Sequence, residues 1–319
     1  MLVKIIIKKM ARLPFYLFHI GFTRLAVGVQ SLLVRVNPKP DRFRALNFFR
    51  NGARLRAMRW EGTQEYPVYV INRTCDGERL TRFSKSCTKW GVDFERVEGV
   101  DLRLQPDFLN SYRQRIAEKC YNKLEFVRGI YGCFLGHREA WKRVVAGTCD
   151  WALVCEDDAR FLGPIPRRVS DYGLPDNAEI VFCNQRMADG LLRDGFCGSE
   201  FEYVSATCAL GRLLDWNPHV IAPGGDAYFL SKSGAGKLLS IFEETQMAFD
   251  VDWFMLFHSI DDGAMGRFLA TDQTGRFGGY LPHRSRLDGY VLVPSLVEQA
   301  EGQSKVRRME FCNREELFK

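Results

Sequence analysis

YPVYVINRTCDGERLTRFSKSCTKWGVDFERV, from Tyr66 to Val97, is the stretch that decides the fold. Its first seven residues, Tyr66 to Asn72, are apolar and β-branched and sit between polar residues, the pattern of a buried strand. Asp76 follows in a helix-capping position. Leu80, Phe83, Cys87 and Trp90 then recur at helical spacing, and Gly91 stands where a helix stops. Phe94 to Val97 reads as a second strand. Strand, helix, strand at this spacing is one βαβ unit, which predicts a parallel sheet in an α/β protein.

Toward the C-terminus a second unit begins at Gly132, where Leu135, Ala140, Trp141, Val144 and Val145 mark one helical face and Gly147 ends it. Trp151 to Cys155 is a short buried strand, and Glu156, Asp157 and Asp158 stand directly after it. In open α/β sheets the ligand crevice lies outside the carboxyl ends of the strands, so three acids at that point are placed where chemistry is done. Glu179 to Cys183 and Ala227 to Leu230 read as further strands, and Ser231 to Phe242 as a helix with Ser231 near its cap. The stretch between Gln185 and Trp216, with Gly190, Gly195, Gly198 and Gly211 among mixed polar and aromatic residues, reads as an insertion of loops and hairpins rather than a second core.

Toward the N-terminus the pattern is different. The formal net charge of +6 is concentrated before Trp60, where thirteen Lys and Arg residues face the single acid Asp41. A basic balance confined to one end predicts a charged appendage that meets an anionic membrane surface, with no nucleic acid among the expected partners. The uncharged piece from Leu13 to Thr23 contains Pro14 and is too short to span a bilayer. It reads either as an interfacial amphipathic segment or as a helix docked on the domain that follows. Residues 1–60 are thus expected to be a membrane-associating segment and linker, and 66–319 a single catalytic domain. The ten cysteines show neither CxxC spacing nor a disulfide framework, and several fall inside apolar runs, which fits a reducing cytoplasm and buried free thiols.

Acids clustered at the end of a buried strand are costly unless positive charge sits among them, and Mg²⁺ or Mn²⁺ is a common answer because hard cations take oxygen ligands. The alternative for Glu156-Asp157-Asp158 is a turn or a helix cap. Asp250 and Asp252, in FDVDWFMLF, form a second acid pair. They share a face if that run is extended, and otherwise one of them caps the apolar helix that follows. His137 lies on an otherwise apolar helical face, as a core histidine or a ligand, and His283 lies in a loop.

In order along the chain, VYVINRTCDGERLTRF, VEGVD, YGCFLGHREAWKRVV, WALVCEDDARF, GGDAYFLSKSGAGKLL, DVDWFM and YVLVPSLVEQ resemble glycosyltransferase family 25, which contains lipopolysaccharide galactosyl- and glucosyltransferases and is related to collagen galactosyltransferases. The resemblance runs from Tyr66 to the end of the chain. It implies a GT-A type, Rossmann-like fold, a nucleotide-sugar donor with UDP-galactose foremost, and inversion at the anomeric carbon. Under it Asp157 and Asp158 hold a divalent metal, Mn²⁺ or Mg²⁺. Asp252 serves as general base with Asp250 beside it, and Asn72, Arg73, Arg79, His137 and Glu156 meet the donor. The acceptor implied is a glycan or lipid-linked saccharide of lipopolysaccharide or similar surface polysaccharide, met at the cytoplasmic face of the inner membrane. The chain departs from the family pattern at Gly136, where a serine is usual, and at Arg73, where a leucine is usual. Two other classes share some of these features. A metal-dependent phosphodiesterase would need clustered histidines, and the five here are dispersed; a membrane-tethered glycan-binding protein would not need Asp157 and Asp158 together at a strand end.

Overall fold

The computed structural model describes residues 60–105, 119–121, 124–189, 191, 201–216, 223–271, 277, 287–300 and 311–313. The basic N-terminal segment and His283 lie outside the described residues. The strands are β1 (Val68–Asn72), β2 (Glu95–Glu98), β3 (Lys119–Tyr121), β4 (Trp151–Glu156), β5 (Ala159–Phe161), β6 (Ile180–Phe182), β7 (Glu202–Ser205), β8 (Ala227–Ser231), β9 (Gly289–Val293), β10 (Val297–Gln299) and β11 (Phe311–Asn313). The helices are α1 (Gly77–Trp90), α2 (Leu124–Ala146), α3 (Gln185–Asp189), α4 (Ala206–Trp216), α5 (Lys232–Thr245), α6 (Val251–Phe257) and α7 (Asp262–Thr271).

The expected βαβ unit is present, with β1 and β2 paired in parallel and α1 as the crossover. Gly91 closes α1 in the left-handed region at φ 65°, where its N–H meets the last carbonyls of the helix. Asp76 occupies the cap position but makes no side-chain cap bond; its carboxylate is taken by Arg73 instead. Along the fully buried β1, side chains alternate between two layers. Tyr69 and Ile71 join the core beneath α2, while Val68 and Val70 join Phe83 and Cys87 of α1 on the other face. Helices on both faces of one sheet make this an α/β fold.

Seven strands form that sheet in the order β2-β1-β4-β8-β6-β9-β7. β4 is parallel to β1, β8 is antiparallel to both β4 and β6, β9 is parallel to β6, and β7 is antiparallel to β9. Five strands therefore run one way, and β8 and β7 run against them. The chain leaves β1 toward β2 on one side and returns through α2 to β4 on the other, so the order reverses between β1 and β4. In open α/β sheets ligands bind outside the strand ends at such a switch point.

Two expectations need correction. The described residues between Gln185 and Trp216 do not form an insertion of loops and hairpins. β7 extends the main sheet beside β9, and α4 buries Ala206, Ala209, Leu210, Leu213 and Leu214 in the larger core. Its glycines mask the pattern, since Gly211 sits inside a helix whose apolar stripe continues on either side of it. Val145 is not on the buried face of α2. The buried stripe runs through Val127, Tyr131, Phe134, His137, Ala140, Trp141 and Val144, and Val145, one helical step of about 100° beyond Val144, is 39% exposed.

Phe134 has no exposed surface and meets the rings of Trp141, Phe242 and Phe254 at centroid distances of 5.8, 5.2 and 5.1 Å, which ties α2 to α5 and α6. Phe134→Ala is expected to lower the stability to urea by about 3–5 kcal/mol. Val145→Ala should change it by less than about 0.5 kcal/mol. Equal losses in the two variants would contradict this placement of α2.

Candidate active site

The carboxyl ends of β1 and β4 carry Asn72 and Glu156, and the turn after β4 carries Asp157 and Asp158. Asp157 is buried and turned toward the β1 side. Its Oδ2 accepts from Asn72 Nδ2 at 2.7 Å, and its Oδ1 meets Arg79 of α1 at 2.5 Å. Burial raises its carboxyl above the usual range, and Arg79 and the Asn72 hydrogen bond offset part of that rise. Arg79 also reaches Asp158 Oδ2 at 3.1 Å. A buried acid with two such partners is satisfied without a cation.

Glu156 and Asp158 belong to a different group. β8 starts beside the end of β4 because the two strands are antiparallel, with Ala227 opposite Cys155, and Glu156 N donates to Asp226 O at 2.9 Å. One carboxylate oxygen from each of Glu156, Asp158 and Asp226 lies within 4.8 Å of the others. Asp158 Oδ1 and Asp226 Oδ2 are buried and accept no hydrogen bond. Opposed to the three acids is Arg186 of α3, 3.2 Å from Asp226 Oδ1, which also bonds Gln299 of β10. Gln299 in turn donates to Asp158 Oδ2 at 3.0 Å, and Ala300 N to Asp158 O at 2.7 Å, so the antiparallel pair β5 and β10 holds the Asp158 turn in place. Three converging hard oxygen ligands, two of them with unused lone pairs, fit a divalent cation.

Neither Asp226 nor Arg186 is marked as a site residue by sequence pattern. The available signal is Gly224-Gly225-Asp226 directly before a strand, but it points to the acids only once β8 is known to run against β4. Glycine suits both positions. Gly224 has φ 71°, and a Cβ on it would lie 3.0 Å from Arg186 Cδ; a Cβ on Gly225 would lie 3.0 Å from Glu156 Oε1.

Asp252 approaches from α6. It lies in the first helical turn, so Asp250 and Asp252 do not form an extended pair; Asp250 is the residue that precedes the helix, and its side chain makes no cap bond. Asp252 Oδ2 accepts from Gly224 N at 3.2 Å and Oδ1 from Trp253 N at 2.9 Å. Burial raises its carboxyl, and Arg186 and these backbone bonds moderate the rise. Arg73 stays at the rim, paired with Asp76 at 2.6 Å. His137 has no exposed surface and lies beneath Glu156, with Nε2 at 3.4 Å from Glu156 Oε1. His258, the other histidine among the described residues, is also fully buried, so the clustered histidines of a phosphodiesterase centre are not found among them. Gly136 has a packing reason, since a Cβ there would stand 2.8 Å from Ile71 Cγ2.

Burial, with Asp158 nearby, pushes the Glu156 carboxyl up to about 8, and burial, opposed by Arg186, pushes Asp226 up to about 8. Both groups hold a proton more tightly folded than unfolded. Their contribution to stability is therefore complete below about pH 4 and is lost as the pH rises toward about 8. In a chelator the melting temperature is expected to fall between about pH 5 and pH 8, and Asp226→Asn should flatten the fall. A melting temperature that rises over that interval in the wild type would show that these acids are not crowded in the way described.

Residues 65–185 match the family model described as glycosyltransferase family 25 (LPS biosynthesis protein). The chain is 32% identical over 112 residues to a glycosyltransferase 25 family member of Aedes aegypti, a match covering 32% of this chain and 18% of the relative. It is 29% identical over 103 residues to procollagen galactosyltransferase 2 of Homo sapiens, covering 30% of this chain and 16% of the relative. It is 30% identical over 111 residues to inactive glycosyltransferase 25 family member 3 of Mus musculus, covering 32% and 18%. The chain thus spans less than a fifth of the length of each of these relatives. The stretch from residue 65 to residue 185, with β1, β4 and the first three acids inside it, is the part of the chain that matches glycosyltransferase family 25.

Proposed function

We propose that this chain is a GT-A type, inverting hexosyltransferase that takes a nucleotide sugar, UDP-galactose foremost, and transfers the hexose to a glycan or lipid-linked saccharide of the lipopolysaccharide kind. The observation that carries this reading is the convergence of Glu156, Asp158 and Asp226 at the switch point of the segment that matches family 25, with two carboxylate oxygens left without partners. These three residues would hold the divalent cation, Mn²⁺ or Mg²⁺. A bound cation supplies positive charge against the donor diphosphate and so eases its departure. Asp157 acts through Asn72 and Arg79, keeping both at the strand ends where the nucleotide is expected, with Arg73 at the rim.

Asp252 is the group assigned to the acceptor. Two backbone N–H groups fix its carboxylate, and burial raises its affinity for a proton, as a general base requires. In the transfer, the acceptor hydroxyl oxygen bonds to the anomeric carbon as the bond to the diphosphate breaks. The hydroxyl proton passes to Asp252, and one displacement of this kind inverts the configuration. Asp250, beside it, shapes the start of α6.

Asp158→Asn and Asp226→Asn are expected to abolish metal-dependent transfer and the thermal stabilisation by Mn²⁺ plus nucleotide sugar while leaving the fold intact. Asp252→Asn should lose roughly 10²-fold or more in kcat and keep its donor affinity. A screen of nucleotide sugars by melting temperature, followed by turnover, tests the whole reading. Turnover is the deciding half, because one similar protein is named as inactive. The acceptor panel pairs oligosaccharides with a collagen peptide, since another relative is named for procollagen. Stabilisation by no nucleotide sugar, with or without metal, overturns the proposal.

The anionic membrane surface and the cytoplasmic location rest on the sequence before Trp60 alone. No helix among the described residues is long and apolar enough to cross a membrane. Deleting residues 1–58 is expected to abolish binding to anionic vesicles at low salt and to preserve transfer to a soluble acceptor. Vesicle binding that survives the deletion refutes the assignment.

A further inference from the structure

Beneath the acids lies a line of polar groups that the reaction as described does not use. Trp141 and His137, one helical turn apart on α2, and Tyr228 on β8 have no exposed surface. Trp141 Nε1 is 2.9 Å from the Tyr228 hydroxyl, and that hydroxyl is 2.8 Å from His137 Nδ1. The His137 and Tyr228 rings stack with centroids 5.7 Å apart.

The direction of each bond follows from what each group can do. An indole N–H only donates, so the Tyr228 oxygen accepts from Trp141. The Tyr228 proton then has one acceptor in reach, His137 Nδ1. If Nδ1 carried its own proton, the tyrosine oxygen would accept twice and its buried proton would have no partner, at a cost of about 1–3 kcal/mol. Nδ1 is therefore the acceptor. An imidazole that accepts at Nδ1 is neutral, and its single proton sits on Nε2. The partner of Nε2 is Glu156 Oε1, at 3.4 Å. From the other side the Gly225 backbone closes on the same carboxylate, at the place where a Cβ would come within 3.0 Å of Oε1 and 3.4 Å of the imidazole Cε1.

We infer that His137 is a positioning residue: its Nε2–H, set by the Trp141 and Tyr228 bonds, holds the Glu156 carboxylate in the orientation that completes the cation site with Asp158 and Asp226. This rests on the cation reading proposed above. It also decides between two groupings. Cys133, His137 and Glu156 bring ligand atoms within 4.8 Å of one another as well, but with Nδ1 engaged by Tyr228 and Nε2 protonated the imidazole has no lone pair to give. The histidine orients a ligand and is not one, the role that groups behind a metal site play.

Two substitutions separate this role from a merely structural one, because Gln places an amide N–H near the position of Nε2 whereas Asn places its amide near Nδ1. With Mn²⁺ alone titrated into the full chain and the free ion followed by its electron paramagnetic resonance signal, His137→Gln should bind within about threefold of wild type. His137→Asn should bind about 10–100-fold more weakly. Melting curves in the same buffer establish that each variant is folded at the titration temperature. The ¹⁵N spectrum of imidazole-labelled wild type, recorded without metal, should show His137 protonated at Nε2 and bare at Nδ1. A proton on Nδ1, wild-type affinity in His137→Asn, or equal losses in the two variants overturns the inference. A wild type that binds no Mn²⁺ overturns the cation reading instead, and the spectrum then decides the hydrogen-bond relay by itself.

Discussion

Carboxyl groups crowded out of water at the end of β4 are the constraint around which the rest of this structure is arranged. Ionised carboxylates in a low-dielectric setting demand partners, and the molecule supplies them unequally. Asp157 is answered by Arg79 and Asn72, and Asp252 by two backbone amides. Glu156, Asp158 and Asp226 share what remains, chiefly Arg186 and Gln299, and two of their oxygens have nothing. A protein selected for stability alone would neutralise or remove such a surplus. Crowded acids with unpartnered oxygens are concentrated at functional sites, and the proposed cation would meet that surplus.

The backbone around the acids makes that surplus possible. Two consecutive glycines let the chain turn into β8 close against Glu156 and Arg186, where a Cβ at either position would lie 3.0 Å from a side-chain atom. The β5 and β10 pair fixes the Asp158 turn from the far side. Behind Glu156 the buried Trp141, Tyr228 and His137 form a line in which each polar group has a partner, so the strand end is supported by a rigid layer. The arrangement also locates the site relative to the family match. Residues 65–185 bring β1, β4 and Glu156 to Asp158, whereas Asp226, Asp252 and the glycine turn come from beyond that stretch. The shared segment thus contributes one wall and the remainder of the chain closes the site.

Periodicity worked where one element carried its own signal and failed where neighbours decided. Tyr66 to Gly91 could be read from apolar spacing and a single glycine stop, because β1 is buried on both faces and α1 has a separate apolar stripe. The region from Gln185 to Trp216 could not. Its glycines and aromatics look like loop composition until β9, eighty or more residues later, provides the edge that β7 pairs with. Val145 was misplaced for a smaller reason, since spacing alone does not fix where the edge of a buried stripe falls on α2.

By itself the sequence determined that strands and helices alternate around a sheet and that acids stand at the carboxyl end of a buried strand. It also contained the residues that resemble glycosyltransferase family 25. These are local properties, carried by side-chain period, β-branching and turn residues. Which acids act together was decided only by the tertiary structure. The direction of β8 brings Asp226 to Glu156 and Asp158, although about seventy residues separate them along the chain, while Asp157, their immediate neighbour, is turned away to Arg79. The same antiparallel pairing sets Tyr228 against His137 and so fixes the imidazole proton. The physical reason is that strand direction depends on which edge is free when the chain returns, and no residue in β8 encodes that alone.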